Sequence, residues 1–283
     1  MKNTVWIPFP ITEQIHISSM YSLFIEHFEK GYEFPGETHN FWECLYVLEG
    51  QVCVSADERV YNMSRGEIIF HKPLELHKFK VTQSQGATLL IFSLSAEGLL
   101  TTQFRDKVFC LTQSQNARIS EFILYIKETV TSPELFNSHH DYLGPVTQIP
   151  TYGQMIVSYL YQLFLSLVDE GIIASASSAP DAVIFGNAIG YLNSNLHRQP
   201  TVLEIAKFCT VSEASLKRIF DKYAGISIHK YLLKLKIKAA TEFLQDGESV
   251  CNVAERLGFS SQSYFSKAYK RETGISPSNI EPK

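Results

Sequence analysis

Hydrophobic and polar positions change their period along this chain. Within residues 1–110 they alternate in short runs, FWECLYVLEG, QVCVSADERVYNM, GEIIFHKP, HKFKV and ATLLIFSL, punctuated by turn formers. A period of two puts one set of side chains on each face of a strand, so these runs predict a small β-barrel or sandwich. Further on, the spacing moves to three and four. Residues 118–130 carry the stripe Ile119, Phe122, Ile123, Ile126 and Val130, while residues 151–169, with the run QMIVSYLYQLFLSLV, are apolar round most of a helical wheel. A helix of the second kind must be covered on several sides. One side can be the barrel; the rest is a candidate dimer interface or packs on other helices of the same chain. Residues 171–182, GIIASASSAPDA, are mostly small and contain a Pro, which predicts a short linker.

Beyond the linker one pattern occurs twice. TVLEIAKFCTVSEASLKRIFDKYAGIS, from Thr201, and NVAERLGFSSQSYFSKAYKRETGISP, from Asn252, each read as helix, tight turn, helix. Ile205-Ala206 precedes Val253-Ala254 by 48 residues, and Leu216, Phe220 and Gly225 precede Phe265, Tyr269 and Gly274 by 49. The one-residue difference falls in the turn or at the start of its second helix. Gly258 can take a positive-φ turn position at no steric cost, and Thr210 occupies that place in the first copy. Ser212 and Ser260 are the expected N-caps. Between the copies KYLLKLKIKAATEFLQ (230–245) predicts a helix with its stripe at Leu232, Leu235, Ala239 and Phe243. Its length of about 24 Å would hold two helix-turn-helix units for successive major grooves about 34 Å apart.

Charge sharpens this division. The net charge of −4 over 283 residues conceals a split: residues 181–283 hold 14 basic and 10 acidic side chains, leaving 11 basic and 19 acidic in 1–180. A length of 283 residues suits two cores better than one. The expected domains are 1–172 and 181–283. No run reaches 18 consecutive apolar residues and the first residues lack the order of a signal peptide, so neither membrane span nor export is expected. The five cysteines, Cys44, Cys53, Cys110, Cys209 and Cys251, are scattered in apolar runs and read as reduced core thiols of a cytoplasmic protein.

Helical spacing separates the faces of each proposed recognition helix. In the first, Leu216, Ile219 and Phe220 face inward, leaving Ala214, Lys217 and Arg218 as candidates to reach DNA. In the second, Phe265, Ala268 and Tyr269 face inward, leaving Gln262, Ser263, Ser266 and Lys267. Gln can pair with adenine and Lys with guanine in the major groove. With these residues in view, residues 181–280 resemble the DNA-binding domain of AraC-type transcription regulators. The Ile205-Ala206 and Val253-Ala254 pairs, Leu216-x3-Phe220, LKIKAATEFL and GFSSQSYFSKAYKRETGISP carry the resemblance. It implies base contacts by Gln262 and Lys267. One departure is Lys236, where the family usually has Arg; Lys keeps the charge but loses the planar fork that a bidentate partner needs.

In the first domain, His39-x3-Glu43-x6-Gly50 and Gly66-x5-Lys72-Pro73-x3-His77 resemble the two motifs of the cupin barrel, with Phe41 where a second His is expected. By strand alternation His39, Phe41 and Glu43 should share the interior face, joined by His77; His71 reads as a strand-end residue. Two His and a carboxylate could hold a divalent metal, as in a cupin enzyme with an accessory DNA-binding tail, or could contact a ligand without metal. The expectation adopted is a non-enzymatic regulator without cofactor or metal, an α+β two-domain chain with a cupin-like barrel and two helix-turn-helix units. His39, Phe41, Glu43 and His77 would bind a small-molecule effector. The resemblance implies double-stranded promoter DNA, a second copy of the chain and RNA polymerase as partners. A DNA-binding protein whose barrel only dimerises is the remaining alternative.

Overall fold

A computed structural model describes residues 8–131, 141–170 and 172–280. The α+β expectation is met by an antiparallel sheet domain followed by a helical one. Its spine is β2 (Trp42–Ala56), long enough to serve two sets of neighbours. The first half pairs with β6 (Ala87–Glu97) and β4 (Glu67–His71), the second with β3 (Arg59–Ser64) and β5 (His77–Val81). The path continues outward through β1 (His16–Phe28) on one side and through β7 (Val108–Cys110) and β8 (Ile172–Ala174) on the other. Strand β1 escaped the sequence reading because register shifts between Ile17 and Ser19 and between Met20 and Ser22 break its alternation. Likewise, the expected linker begins with strand β8, which closes the sheet edge on β7.

Alternation along β2 decides where the two cores lie. Cys44 and Tyr46 face the layer formed by α2 (Gln113–Thr129) and α3 (Tyr152–Glu170), with Phe92, Phe122, Ile126, Leu160 and Phe164. Leu45, Val47, Val52 and Val54 face the other way, into a core shared with Tyr61, Met63, Phe79 and Ile91. The apolar circumference of α3 is only partly covered, since Met155, Leu165 and Val168 remain exposed, as does Leu124 on α2.

After the short α1 (Thr101–Phe104) and the pair α2 and α3, six helices form the second domain. They are α4 (Pro180–Asn193), α5 (Val202–Phe208), α6 (Glu213–Ala224), α7 (Ile228–Gln245), α8 (Val250–Arg256) and α9 (Gln262–Thr273). Helices α4 to α6 and the start of α7 share one core, around Phe185, Leu216, Phe220 and Tyr231; the end of α7 with α8 and α9 builds another, around Ile237, Val253, Phe265 and Tyr269. Hydroxyl caps start five of these helices: Thr201, Ser212, Ser227, Ser249 and Ser261 each accept a backbone N–H. Each such cap contributes about 1 kcal/mol. The cap of α9 is therefore Ser261 and not Ser260, which places the extra residue of the second copy in its turn. Thr210 (φ 56°) and Gly258 (φ 64°) hold the same left-handed position, as their alignment predicts.

Lys236 donates from Nζ to the Leu257 carbonyl, 2.8 Å away, at the end of α8, and lies over the Phe259 ring at 5.4 Å. Burial lowers its pKa. Of the five free cysteines only Cys44 and Cys209 are buried; Cys251 is exposed, contrary to the core expectation. Among the described residues no helix is long and apolar enough to cross a membrane.

Candidate nucleic-acid interface and sensor cluster

The two recognition helices present their outer faces differently. On α6, Ala214, Lys217 and Arg218 are exposed as expected. Arg218 and Lys222, however, lie 3.5 and 3.1 Å from Asp181, at the first turn of α4. On α9, Gln262, Ser263 and Lys267 are exposed and Ser266 is half-buried. Tyr264 was not among the candidates, yet half of its surface is open and it lies one turn before Lys267. The three-residue spacing to Lys267 was the signal that could have found it. Lys267 has no ion-pair partner among the described residues.

The first helix-turn-helix unit also packs against the sheet domain. Lys78 on β5 donates from Nζ to the Asp221 carbonyl at 3.0 Å, and the Ser55 hydroxyl on β2 donates to the Tyr223 carbonyl. Val60 and Leu76 from the sheet domain join the helical core. A Cβ on Gly225, at the left-handed end of α6, would meet the Pro35 carbonyl oxygen at 2.4 Å. Lys238 on α7 pairs with Asp57, in the turn between β2 and β3. Cys53, Phe79, Lys78 and Lys80 from the sheet and Lys222 and Tyr223 from α6 line a cavity of about 310 Å³ between the domains.

In the sheet domain the expected cluster is assembled with one exchange. His39 and Phe41 precede β2 and lie outside the strand, where the chain bends at Asn40 and Phe41, so alternation does not govern their direction. Phe41 is not one of the converging groups: its ring stacks on His39 at 3.9 Å and on Tyr21 at 4.1 Å, and its carbonyl accepts from His39 Nδ1 at 3.0 Å. Glu37 takes the fourth place, positioned by an isolated bridge to His77. His39 Nε2 lies 3.8 Å from Glu37 and 3.7 Å from Glu43; His77 Nε2 lies 3.6 Å from Glu37 and 3.2 Å from Glu43. Neither Nε2 has a partner in hydrogen-bond geometry. Burial alone would lower the His77 pKa, but Glu37, Glu43 and Glu75 outweigh it and raise it to about 10.

His71, the strand-end residue, belongs to the same buried network. It stacks on His77 at 4.3 Å and its Nδ1 lies 3.0 Å from Glu75. Glu75 lies 3.1 Å from Lys72, which is 3.5 Å from Asp57, the partner of Lys238. Ring, hydrogen-bond and ionic contacts thus run without interruption from His77 to the helix that joins the two helix-turn-helix units. Burial lowers the pKa of His71 and would lower that of Lys72, but Glu75, Asp57 and Asp106 hold the Lys72 ammonium above its ordinary value.

A regulatory-type sheet domain joined to two capped helix-turn-helix units defines a DNA-binding transcription regulator. The AraC-like ligand binding domain model matches residues 21–137, and a helix-turn-helix domain model matches residues 205–281. The chain belongs to the AraC-type transcription regulators. It is 23% identical to the Msm operon regulatory protein of Streptococcus mutans, with 92% of each chain covered, and 22% identical to the transcriptional activator RhaS of an Enterobacter species, with 87% of each covered. Among solved structures, ToxT of Vibrio cholerae matches 92% of this chain and 96% of its own at 14% identity and a TM-score of 0.36.

Proposed function

We propose that this regulator, with its sensor unit in 1–172 and its DNA-binding unit in 181–283, works in the cytoplasm as a homodimer on double-stranded promoter DNA. Its catalytic inactivity is part of that reading. Gln262, Ser263, Tyr264 and Lys267 would enter one major groove, supported at its edge by Ser266, and Ala214, Lys217 and Arg218 the next. The exposed Leu124, Leu165 and Val168 on α2 and α3 form the apolar face offered to a second copy.

The observation that carries the reading is the wall shared by the two domains. The sheet domain touches α6, a recognition helix, and α7, the helix that spaces both units. A small molecule in the cavity lined by Lys78, Lys80, Phe79, Lys222 and Tyr223 would contact both domains at once and so favour one arrangement over another. Its volume falls at the lower end of ordinary ligand pockets. Asp57→Asn tests the coupling, because Asn keeps the size and tolerates the left-handed φ of 46° while removing the charge facing Lys238. Promoter affinity without effector should be retained and the effector's influence on it reduced. Unchanged effector response would overturn the role given to this wall.

A further inference from the structure

Glu37, His39, Glu43 and His77 each offer one ligand atom, and these four atoms lie within 4.8 Å of one another. Such a gap suits an ion better than an organic molecule. Bonds of about 2.0–2.2 Å in a tetrahedral site place neighbouring ligand atoms about 3.3–3.6 Å apart. The His-to-carboxylate separations, 3.6 and 3.8 Å to one Glu37 oxygen and 3.2 and 3.7 Å to the two Glu43 oxygens, lie close to that value.

The rings are also oriented for the task. His39 donates from Nδ1 to the Phe41 carbonyl and His77 from Nδ1 to the Glu75 carbonyl, at 3.0 and 3.2 Å. A backbone carbonyl can only accept, so these contacts place a proton on each Nδ1 and turn each Nε2 to the cluster; the Nε2 proton that Glu37 and Glu43 favour on His77 would leave as an ion binds. Metal-ligating histidines are held in this way. His77 is almost wholly buried, and its Nε2 is without a hydrogen bond. We propose that Glu37, His39, Glu43 and His77 form a binding site for a first-row divalent transition metal. Two imidazoles and two carboxylates are a mixed donor set suited to zinc, iron or manganese, and the two carboxylates balance the charge of the ion. The site lies at the head of the contact chain through His71, Glu75, Lys72 and Asp57 to Lys238, so its occupancy would reach the DNA-binding unit.

The proposal goes beyond the regulator reading and is tested apart from it. Untagged full-length protein, stripped with a chelator, is titrated with Zn²⁺ by calorimetry and with Co²⁺ by visible absorption. One saturable equivalent per chain is expected, with cobalt bands of a nitrogen and oxygen site. His39→Ala should remove the bands, and Glu37→Gln should weaken Zn²⁺ binding at least tenfold. Glu37 is about half exposed, so Glu37→Gln decides if the histidine variant does not fold. Absence of a saturable one-equivalent site in the parent protein, or parental affinity in Glu37→Gln, would overturn the site. Promoter binding, measured on the stripped protein and again after Zn²⁺ is restored, reports on the regulator reading, which fails only if neither form binds.

Discussion

The two helix-turn-helix units share a pattern and differ in what surrounds them. In the first, α6 ends against the sheet domain, its carbonyls at Asp221 and Tyr223 accept from Lys78 and Ser55, and its Arg218 is paired with Asp181. In the second, the outer face of α9 carries Gln262, Ser263, Tyr264 and Lys267 in the open. On the reading proposed above, both units meet DNA, and the first would in addition report the sensor's state. Matched substitutions in the two copies separate the tasks.

The largest effect is expected at the turns. Thr210 and Gly258 occupy equivalent left-handed positions, but a Cβ on Gly258 would meet the His197 carbonyl oxygen at 2.1 Å. Gly258→Ala therefore carries both backbone strain and a clash with main chain that has little room to move. A loss of about 3 kcal/mol or more is expected, seen as a fall in Tm on the order of 10 °C. Thr210→Gly relieves strain but loosens the unfolded chain, and the two nearly cancel, leaving stability within about 0.5 kcal/mol. Equal losses in the two variants would show that the turns are held alike.

The next comparison isolates the contact with the sensor. Gly225 (φ 67°) and Gly274 (φ 81°) both end recognition helices in the left-handed region, so an Ala at either costs about 1 kcal/mol for φ alone. The space around them differs: the added Cβ meets the Pro35 oxygen at 2.4 Å in the first case and nothing within 4 Å in the second. Urea unfolding of the full chain should show Gly225→Ala less stable than Gly274→Ala by about 1–2 kcal/mol. Identical stabilities would mean that α6 is not clamped by the 33–37 segment.

Much of this arrangement was legible in the sequence, for reasons the structure makes plain. The repeat was visible because each helix-turn-helix needs the same small, apolar and positive-φ positions, and its one-residue offset is the longer turn before Ser261. Strand β1 was not visible, because its irregular register destroys the period on which strand reading depends. The sensor cluster was half legible. His39, Glu43 and His77 were identified, but Phe41 was assigned by an alternation that begins only at Trp42, and Glu37 was missed because its position comes from a long-range bridge to His77. The contact between α6 and the sheet domain leaves no periodic trace and could not be read at all.

For base reading the comparison is between α9 and α6. Gln262→Ala should cost about 1–3 kcal/mol at one base position if the amide pairs with adenine, and leave other positions unaffected. Glu213→Ala, at the equivalent place in the first unit, should change operator affinity much less, since a carboxylate facing phosphate adds little. A binding assay against a set of single-base operator variants distinguishes them; a uniform loss for Gln262→Ala would assign that residue to the backbone instead.

The smallest effect concerns charge. Arg218 and Lys267 are equivalent by the 49-residue offset, and both are exposed cations on recognition helices. Lys267 is free to reach a phosphate, whereas Arg218 must first leave Asp181, which it faces at 3.5 Å. An exposed ion pair of this kind is worth less than about 1 kcal/mol, so it reduces the arginine's contribution without abolishing it. Each phosphate contact adds about 0.9 to the slope of log affinity against log salt. Lys267→Ala should therefore lower the slope by close to one, and Arg218→Ala by distinctly less. Asp181→Ala frees Arg218, so the second substitution made in that background should approach the effect of the first. If Arg218→Ala already lowers the slope as much as Lys267→Ala in the parent chain, Asp181 does not restrain the first recognition helix and the two units present their cations to DNA alike.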